Sequence, residues 1–223
     1  MKYQHWNLRR PAAPAARRAL EESGLSPLCA AILSSRGLDG PDKAAQFLSS
    51  GPERFHDPFL LKDMDKAVER IRRSIGAHEL ICVYGDYDVD GITATCLLTE
   101  ALAWQGGDVV SYIPDRTEEG YGLNPGAVTR LADQGVRLIV TVDCGITADD
   151  EVEFARSLGV DVVVTDHHHC KDKLPDAVAV VDPRRDDCPY PFPELAGVGV
   201  ALKVAQALVP PQARETVFLR FGE

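Results

Sequence analysis

The chain has 223 residues, with 24 Lys and Arg against 34 Asp and Glu, a formal net charge of −10, 45% hydrophobic residues and 26% charged ones. This is the make-up of a folded globular protein, and it excludes a disordered, collagen-like or disulfide-scaffold chain. The acidic balance also argues against coating nucleic acid through bulk charge, while leaving a local grip on a strand open.

At about 150 residues per domain, the length predicts one large domain or a small one plus a larger one. No apolar run approaches the ~18 residues that cross a bilayer, so no membrane partner is expected. The opening Met1-Lys2-Tyr3-Gln4-His5-Trp6 leads to Arg9, Arg10 and Pro11 without the apolar core of a signal peptide. The six cysteines form no Cys-x-x-Cys pair. Together these features predict a soluble protein of the cytoplasm with reduced thiols.

Residues 1–75 read as a helical N-terminal cap, rich in proline and without a strand-like run, with Ala44–Leu48 and Met64–Ile75 as its firmer helices. From residue 76 to 223 the pattern changes. Leu80–Tyr84 is a short apolar run, then come a Gly- and Asp-rich loop and a helix from Ile92 to Gln105. Val109–Ile113 follows, then a helix over Pro125–Gln134 with proline in its first turn. Leu138–Val142, a helix over Ala148–Leu158, Val160–Thr165 and Ala177–Val181 complete the regular part. Strands that run apolar without alternation are buried on both faces. The order strand, loop, helix, strand predicts an α/β fold with a doubly wound, mainly parallel sheet.

Ligands of such sheets gather beyond the carboxyl ends of the strands. Four strand ends here are polar: Gly85-Asp86-Tyr87-Asp88-Val89-Asp90-Gly91, Pro114-Asp115-Arg116, Asp143-Cys144-Gly145 and Asp166-His167-His168-His169. Carboxylates brought together repel unless protons or cations neutralise them. Mixed oxygen and imidazole donors suit manganese and similar first-row ions better than calcium, and a pair of such ions serves phosphate-ester hydrolysis. An aspartate after a strand is also a helix cap, a reading that stays open for Asp143 alone. Three aspartates at alternate positions exceed what a cap needs. His5, His56 and His78 have no such setting, and Cys144 and Cys170 lack a base beside them.

Other patterns fit less well. Asp86-x-Asp88-x-Asp90-Gly91 matches the first half of an EF-hand, but the twelfth position is Leu97 rather than glutamate. A phosphate loop is disfavoured by the aspartates between Gly85 and Gly91, because carboxylates repel phosphate. Asp88-Val89-Asp90-Gly91-Ile92-Thr93 resembles the nucleophile loop of haloacid-dehalogenase-type phosphatases, which leaves the histidine run unexplained. The clusters Arg9, Arg10, Arg17, Arg18; Arg70, Arg72, Arg73; and Arg184, Arg185 read first as solvated faces.

Asp86-Tyr87-Asp88-Val89-Asp90-Gly91, Val142-Asp143-Cys144-Gly145 and Thr165-Asp166-His167-His168 resemble the first three motifs of the DHH phosphoesterase superfamily. Asp57–Leu60, Val83-Tyr84-Gly85, Gly120–Asn124 and Glu194–Gly199 extend the likeness to its RecJ-type branch of single-stranded-DNA 5′→3′ exonucleases. The resemblance implies a hydrolase of DNA repair and recombination that releases 5′-mononucleotides with two Mn²⁺ or Mg²⁺ ions. Its partners would be single-stranded DNA and single-stranded-DNA-binding protein. It implies Asp88 and Asp90 as metal ligands, Asp143 bridging the two ions, and His167 on the second, with Asp166 behind its ring. Asp86 stands as a further ligand or as a support. His168 would face the phosphate as a catalytic and substrate-binding group with Asp166, and Arg116 and the Gly120–Asn124 loop would touch the strand. Tyr84 stands where small pyrophosphatases of the superfamily have a histidine ligand. The fourth motif, an aspartate expected tens of residues after a Gly197–Leu208 helix, is not reached by Glu223, so a fragment of a longer chain is expected. A catalytically silent scaffold of the same superfamily is the alternative from another class.

Overall fold

A computed structural model describes residues 13–49, 55–171 and 173–221. His5, Arg9 and Arg10 lie outside these residues. The described residues form two compact units, 13–49 and 55–221. In the first, α1 (Pro14–Glu22), α2 (Pro27–Ser35) and α3 (Pro41–Leu48) each begin on a proline. Proline suits the first helical turn because its missing N–H has no partner there in any case. The prolines thus open these helices rather than break them. Leu20, Ala30, Leu33 and Ala44 make the small core of this unit.

The second unit opens with α4 (Met64–Ala77), which the sequence texture assigned to the cap. Its Met64, Ala67, Val68 and Ile71 lie in the same core as the sheet. The sheet has β1 (Leu80–Tyr84), β2 (Val109–Tyr112), β3 (Val136–Val142), β4 (Asp161–Thr165) and β5 (Ala179–Val181), all parallel, in the order β2-β1-β3-β4-β5. Successive strand residues feed opposite faces, as the pleat requires. Ile81 and Val83 pack with α4, with α5 (Val89–Trp104) and with α8 (Gly197–Ala207). Cys82 and Tyr84 pack with α6 (Pro125–Asp133) and α7 (Asp149–Ser157). A last helix, α9 (Arg214–Phe221), joins the first face through Val217. Both faces are covered, which is why the strands carry no polar alternation.

Two arginines from the basic clusters are buried ties rather than solvated faces. Arg70 donates to Asp161 at 2.5 Å, to Glu79 at 2.8 Å, to Ser74, and to the Arg137 carbonyl at 3.3 Å. Arg185 donates to Asp187, to Asp63 at 2.7 Å and to the Val180 carbonyl at 2.5 Å. Each links a helix or loop to the sheet.

The strand order sets the position of the site. The chain leaves β1 for the edge strand β2 and then returns past β1 to β3. Connections therefore diverge at the carboxyl ends of β1 and β3 and leave a crevice there. The Asp86–Asp90 loop follows β1, and Asp143 follows β3.

Candidate metal centre

The loop after β1 turns tightly into α5. Asp88 caps that helix, accepting from the backbone N–H groups of Asp90 at 2.8 Å and Gly91 at 3.0 Å. This cap starts the helix at Val89, three residues before the Ile92 expected from apolar periodicity. The turn tolerates no side chain at two positions. A Cβ on Gly85 would fall 1.9 Å from the Thr95 hydroxyl oxygen, and one on Gly91 would fall 2.5 Å from the Asp86 carbonyl. Asp86 is consequently pressed into the interior, where burial raises its carboxyl above the ordinary range.

Asp143 ends β3 with a left-handed backbone, φ 60°, a conformation costly for a residue with a side chain. It is 2% exposed, and burial, with Asp90 and Asp88 adding to it, pushes its carboxyl up to about 7. The first residue of α8 is packed against it: a Cβ on Gly197 would lie 2.7 Å from both the Asp143 Cβ and its Oδ1.

The loop after β4 supplies Asp166, His167 and His168. Asp166 is fully buried and saturated. One oxygen accepts from Ile146 N–H at 2.9 Å, and the other from His167 N–H at 2.7 Å and from the His168 ring Nδ1 at 2.7 Å. The aspartate thus stands behind the ring of His168, not behind that of His167 as the resemblance implied. The reason is local: Oδ1 is already engaged by the His167 backbone, and the second histidine folds back over the same turn. That hydrogen bond raises the His168 pKa. His168 Nε2 has no hydrogen-bond partner among the described residues. The His167 Nε2 lies 2.9 Å from Asp143 Oδ1 and 3.6 Å from Asp90 Oδ2.

Donor atoms of Asp86, Asp88 and Asp143 lie within 4.8 Å of one another, and so do those of Asp143, His167 and His168. Asp143 belongs to both sets. Asp86 Oδ1 and Asp143 Oδ1 are buried and have no hydrogen-bond partner among the described residues; the His167 contact has the distance but not the alignment of a hydrogen bond. Buried carboxylate oxygens left unpaired are costly. A divalent cation resolves that cost; the set with histidines suits Mn²⁺ and similar first-row ions, and the all-carboxylate set suits Mn²⁺ or Mg²⁺. Asp90 falls in neither set. Its two oxygens accept from Gly197 and Val198 N–H at 2.8 Å each, at the N-terminus of α8, where a carboxylate is favoured.

Other expected residues lie at the rim or further off. Arg116 is exposed, with its guanidinium 5.1 Å from the centre of the Tyr87 ring, between Asp86 and Asp88 in the chain. His169 meets Arg184 at 3.3 Å. Tyr84 does not stand in for a histidine ligand. It is buried, and its hydroxyl donates to the Gly122 carbonyl at 2.9 Å and accepts from Asn124 at 3.2 Å. Tyr121, in the loop so anchored, donates to the Asp143 carbonyl at 3.1 Å. Cys144 is enclosed beneath the site, and burial holds its thiol protonated. One residue escaped notice. Asp182, after β5, is fully buried, is pushed up to about 7 by burial, and keeps Oδ2 unpaired. The rule that found the other strand ends would have found it.

The model of the DHH family, N-terminal domain, matches residues 80–219. The chain belongs to the DHH family. Among curated DHH-family relatives, the single-stranded-DNA-specific exonuclease RecJ of Bacillus subtilis is 44% identical over 204 residues, 92% of this chain and 26% of its own length. RecJ of Escherichia coli is 40% identical over 198 residues, 86% of this chain and 34% of its own. This chain therefore spans about a quarter to a third of these relatives. Among solved structures, RecJ from Thermus thermophilus in complex with Mn²⁺ superposes with a TM-score of 0.68 at 27% identity, covering 96% of this chain and 28% of that one. A manganese-bound exonuclease RecJ gives 0.61 at 36% identity, covering 68% of this chain and 40% of that one. Among the described residues no helix is long and apolar enough to cross a membrane.

Proposed function

We propose that this chain is the metal-binding part of a single-stranded-DNA-specific 5′→3′ exonuclease that hydrolyses phosphodiester bonds and releases 5′-mononucleotides, in DNA repair and recombination. The observation that carries the proposal is the pair of donor sets that share Asp143, with buried carboxylate oxygens that have no hydrogen-bond partner among the described residues. Two sets with one common member support two ions, Mn²⁺ or Mg²⁺: Asp86, Asp88 and Asp143 would hold one, and Asp143 and His167 the other. When bound, such a pair supplies Lewis acidity at the phosphoryl oxygens and lowers the pKa of water.

The chain's own groups supply the rest. Asp166 orients His168 through Nδ1, so that Nε2 is the nitrogen left to meet a phosphate oxygen. Asp90, held by two amides of α8, keeps that helix seated over Asp143. Arg116, backed by the Tyr87 ring, offers a cation and an aromatic face at the rim, the pairing that single strands favour. A scaffold without catalysis has no use for unpaired buried carboxylates. Six free cysteines suit the cytoplasm.

The test is Mn²⁺-dependent release of mononucleotides from 5′-phosphorylated single-stranded DNA, with Mn²⁺ binding followed by calorimetry, for this chain and its Asp143→Ala variant. Release and binding that the substitution reduces to background are the expected result. Equal release from both overturns the assignment, and Mn²⁺ binding no tighter than that of the variant turns the reading towards the scaffold.

A further inference from the structure

The family resemblance implies a strand contact for the loop from Gly120 to Asn124. Its geometry gives one of its residues a different task. The loop is fastened from below. Tyr84, fully buried on β1, donates to the Gly122 carbonyl and accepts from Asn124, while Asn124 also caps α6 by accepting from Ala127 N–H at 2.7 Å. Gly120 and Gly122 both have positive φ, 78° and 84°, and let the chain double back between these anchors. What the doubling back delivers is the Tyr121 hydroxyl.

That hydroxyl meets the site at two points. Its proton goes to the main-chain carbonyl of Asp143, at 3.1 Å. Its oxygen lies 3.3 Å from Nδ1 of His168, and the two rings meet edge to face with centroids 5.9 Å apart. Because the hydroxyl proton is used on Asp143, its lone pair is what faces the Nδ1–H that Asp166 also accepts. Asp143 is the residue whose left-handed backbone needs an external hold, and His168 is the ring whose rotation would exchange Nδ1 for carbon.

We infer that Tyr121 is a positioning residue: its hydroxyl fixes the Asp143 backbone and the His168 ring together, and Tyr84 sets the height at which it does so. The metal part of this inference rests on the proposed function above; the ring part does not. Tyr121 is half exposed, so its replacement leaves the core intact.

The experiment compares this chain with Tyr121→Phe, without metal and with Mn²⁺ alone. Long-range ¹⁵N–¹H spectra of the metal-free protein read the histidine rings. In the variant the His168 Nδ1 resonance is expected to move and its ring signals to broaden, with the exposed His78 as an unchanged internal control. Calorimetry with Mn²⁺ is expected to show roughly three- to tenfold weaker binding, the size that one neutral hydrogen bond supplies. An unmoved His168 spectrum overturns the inference whatever the metal does. If the unaltered chain and Asp143→Asn bind Mn²⁺ equally, the metal reading falls, and the spectra alone decide the role of Tyr121. A moved spectrum with unchanged melting temperature marks positioning rather than general support.

Discussion

Gly197→Ala is the substitution in which helix chemistry and site geometry pull in opposite directions. In a helix, alanine is preferred to glycine by up to ~1 kcal/mol. Here the added Cβ would lie 2.7 Å from the Asp143 Cβ and 2.8 Å from its Cγ. Carbon atoms rest at about 3.5–4.0 Å, so α8 would have to withdraw by roughly 1 Å. Overpacking of this kind costs about 1–3 kcal/mol. Withdrawal also stretches the two amide bonds to Asp90, each 2.8 Å and made to a carboxylate. The net expectation is a loss of about 1–2 kcal/mol, or a melting temperature lower by roughly 2–8 °C in a unit of this size. Mn²⁺ affinity is expected to fall with it, because Asp143 is displaced. Gly199→Ala is the control. Its Cβ would meet only the Leu195 side chain, at 3.2 Å, which can give way, so propensity should prevail there and stability should hold or rise. Thermal unfolding and calorimetric Mn²⁺ titration of both variants read the outcome. A Gly197→Ala protein that melts at or above the unaltered chain with the same Mn²⁺ affinity would refute the reasoning.

Arg70→Met should cost roughly 2–4 kcal/mol in urea unfolding, because it leaves Asp161 and Glu79 without the guanidinium that joins α4 to β4; their partial exposure keeps the loss below that of a fully buried pair. A loss under about 1 kcal/mol would show the tie to be ornamental. Lys203 on α8 is 3% exposed, donates to the His56 carbonyl at 2.9 Å and to Gln206 at 3.2 Å, and is pushed down to about 8 by burial, with Arg214 adding to the effect. Its folded pKa lies below the ordinary 10.5, so the cost of the buried ammonium is full below pH 8 and is relieved as pH rises towards 10.5. Stability of the unaltered chain relative to Lys203→Met should therefore rise by roughly 3 kcal/mol across that window. A flat difference would mean that the amine stays hydrated in the folded state.

Much of this architecture is legible in the sequence because it rests on local pattern. β1, β3 and β4 announce themselves as unbroken apolar runs, since both faces of a parallel sheet are covered. The aspartates and histidines at their ends stand out against those runs, and three motifs bring the family into view without the fold. Non-local features were not legible. Nothing near Asp90 says that its partners are the amides of Gly197 and Val198. Arg70 and Arg185 look like other exposed basic residues until Asp161 and Asp63 are brought to them by the fold. That Asp166 serves His168 depends on a backbone turn of two residues, below the grain of any periodicity.

The carboxylate of Asp90 accepts from amides 107 and 108 positions further along the chain. Joining segments so far apart costs chain entropy that grows only slowly with separation, but it must wait until the strands between them are in register. Pairing of β1 with β3 brings the Asp86–Asp88 loop beside Asp143 as the sheet assembles, and α8 is then seated against Asp143. The repulsion between these carboxylates works against the closed arrangement of strand ends and α8. Without a cation, the end of the molecule fitted for chemistry is thus the end that holds unrelieved repulsion. A divalent ion there works as a fastener as well as a reagent.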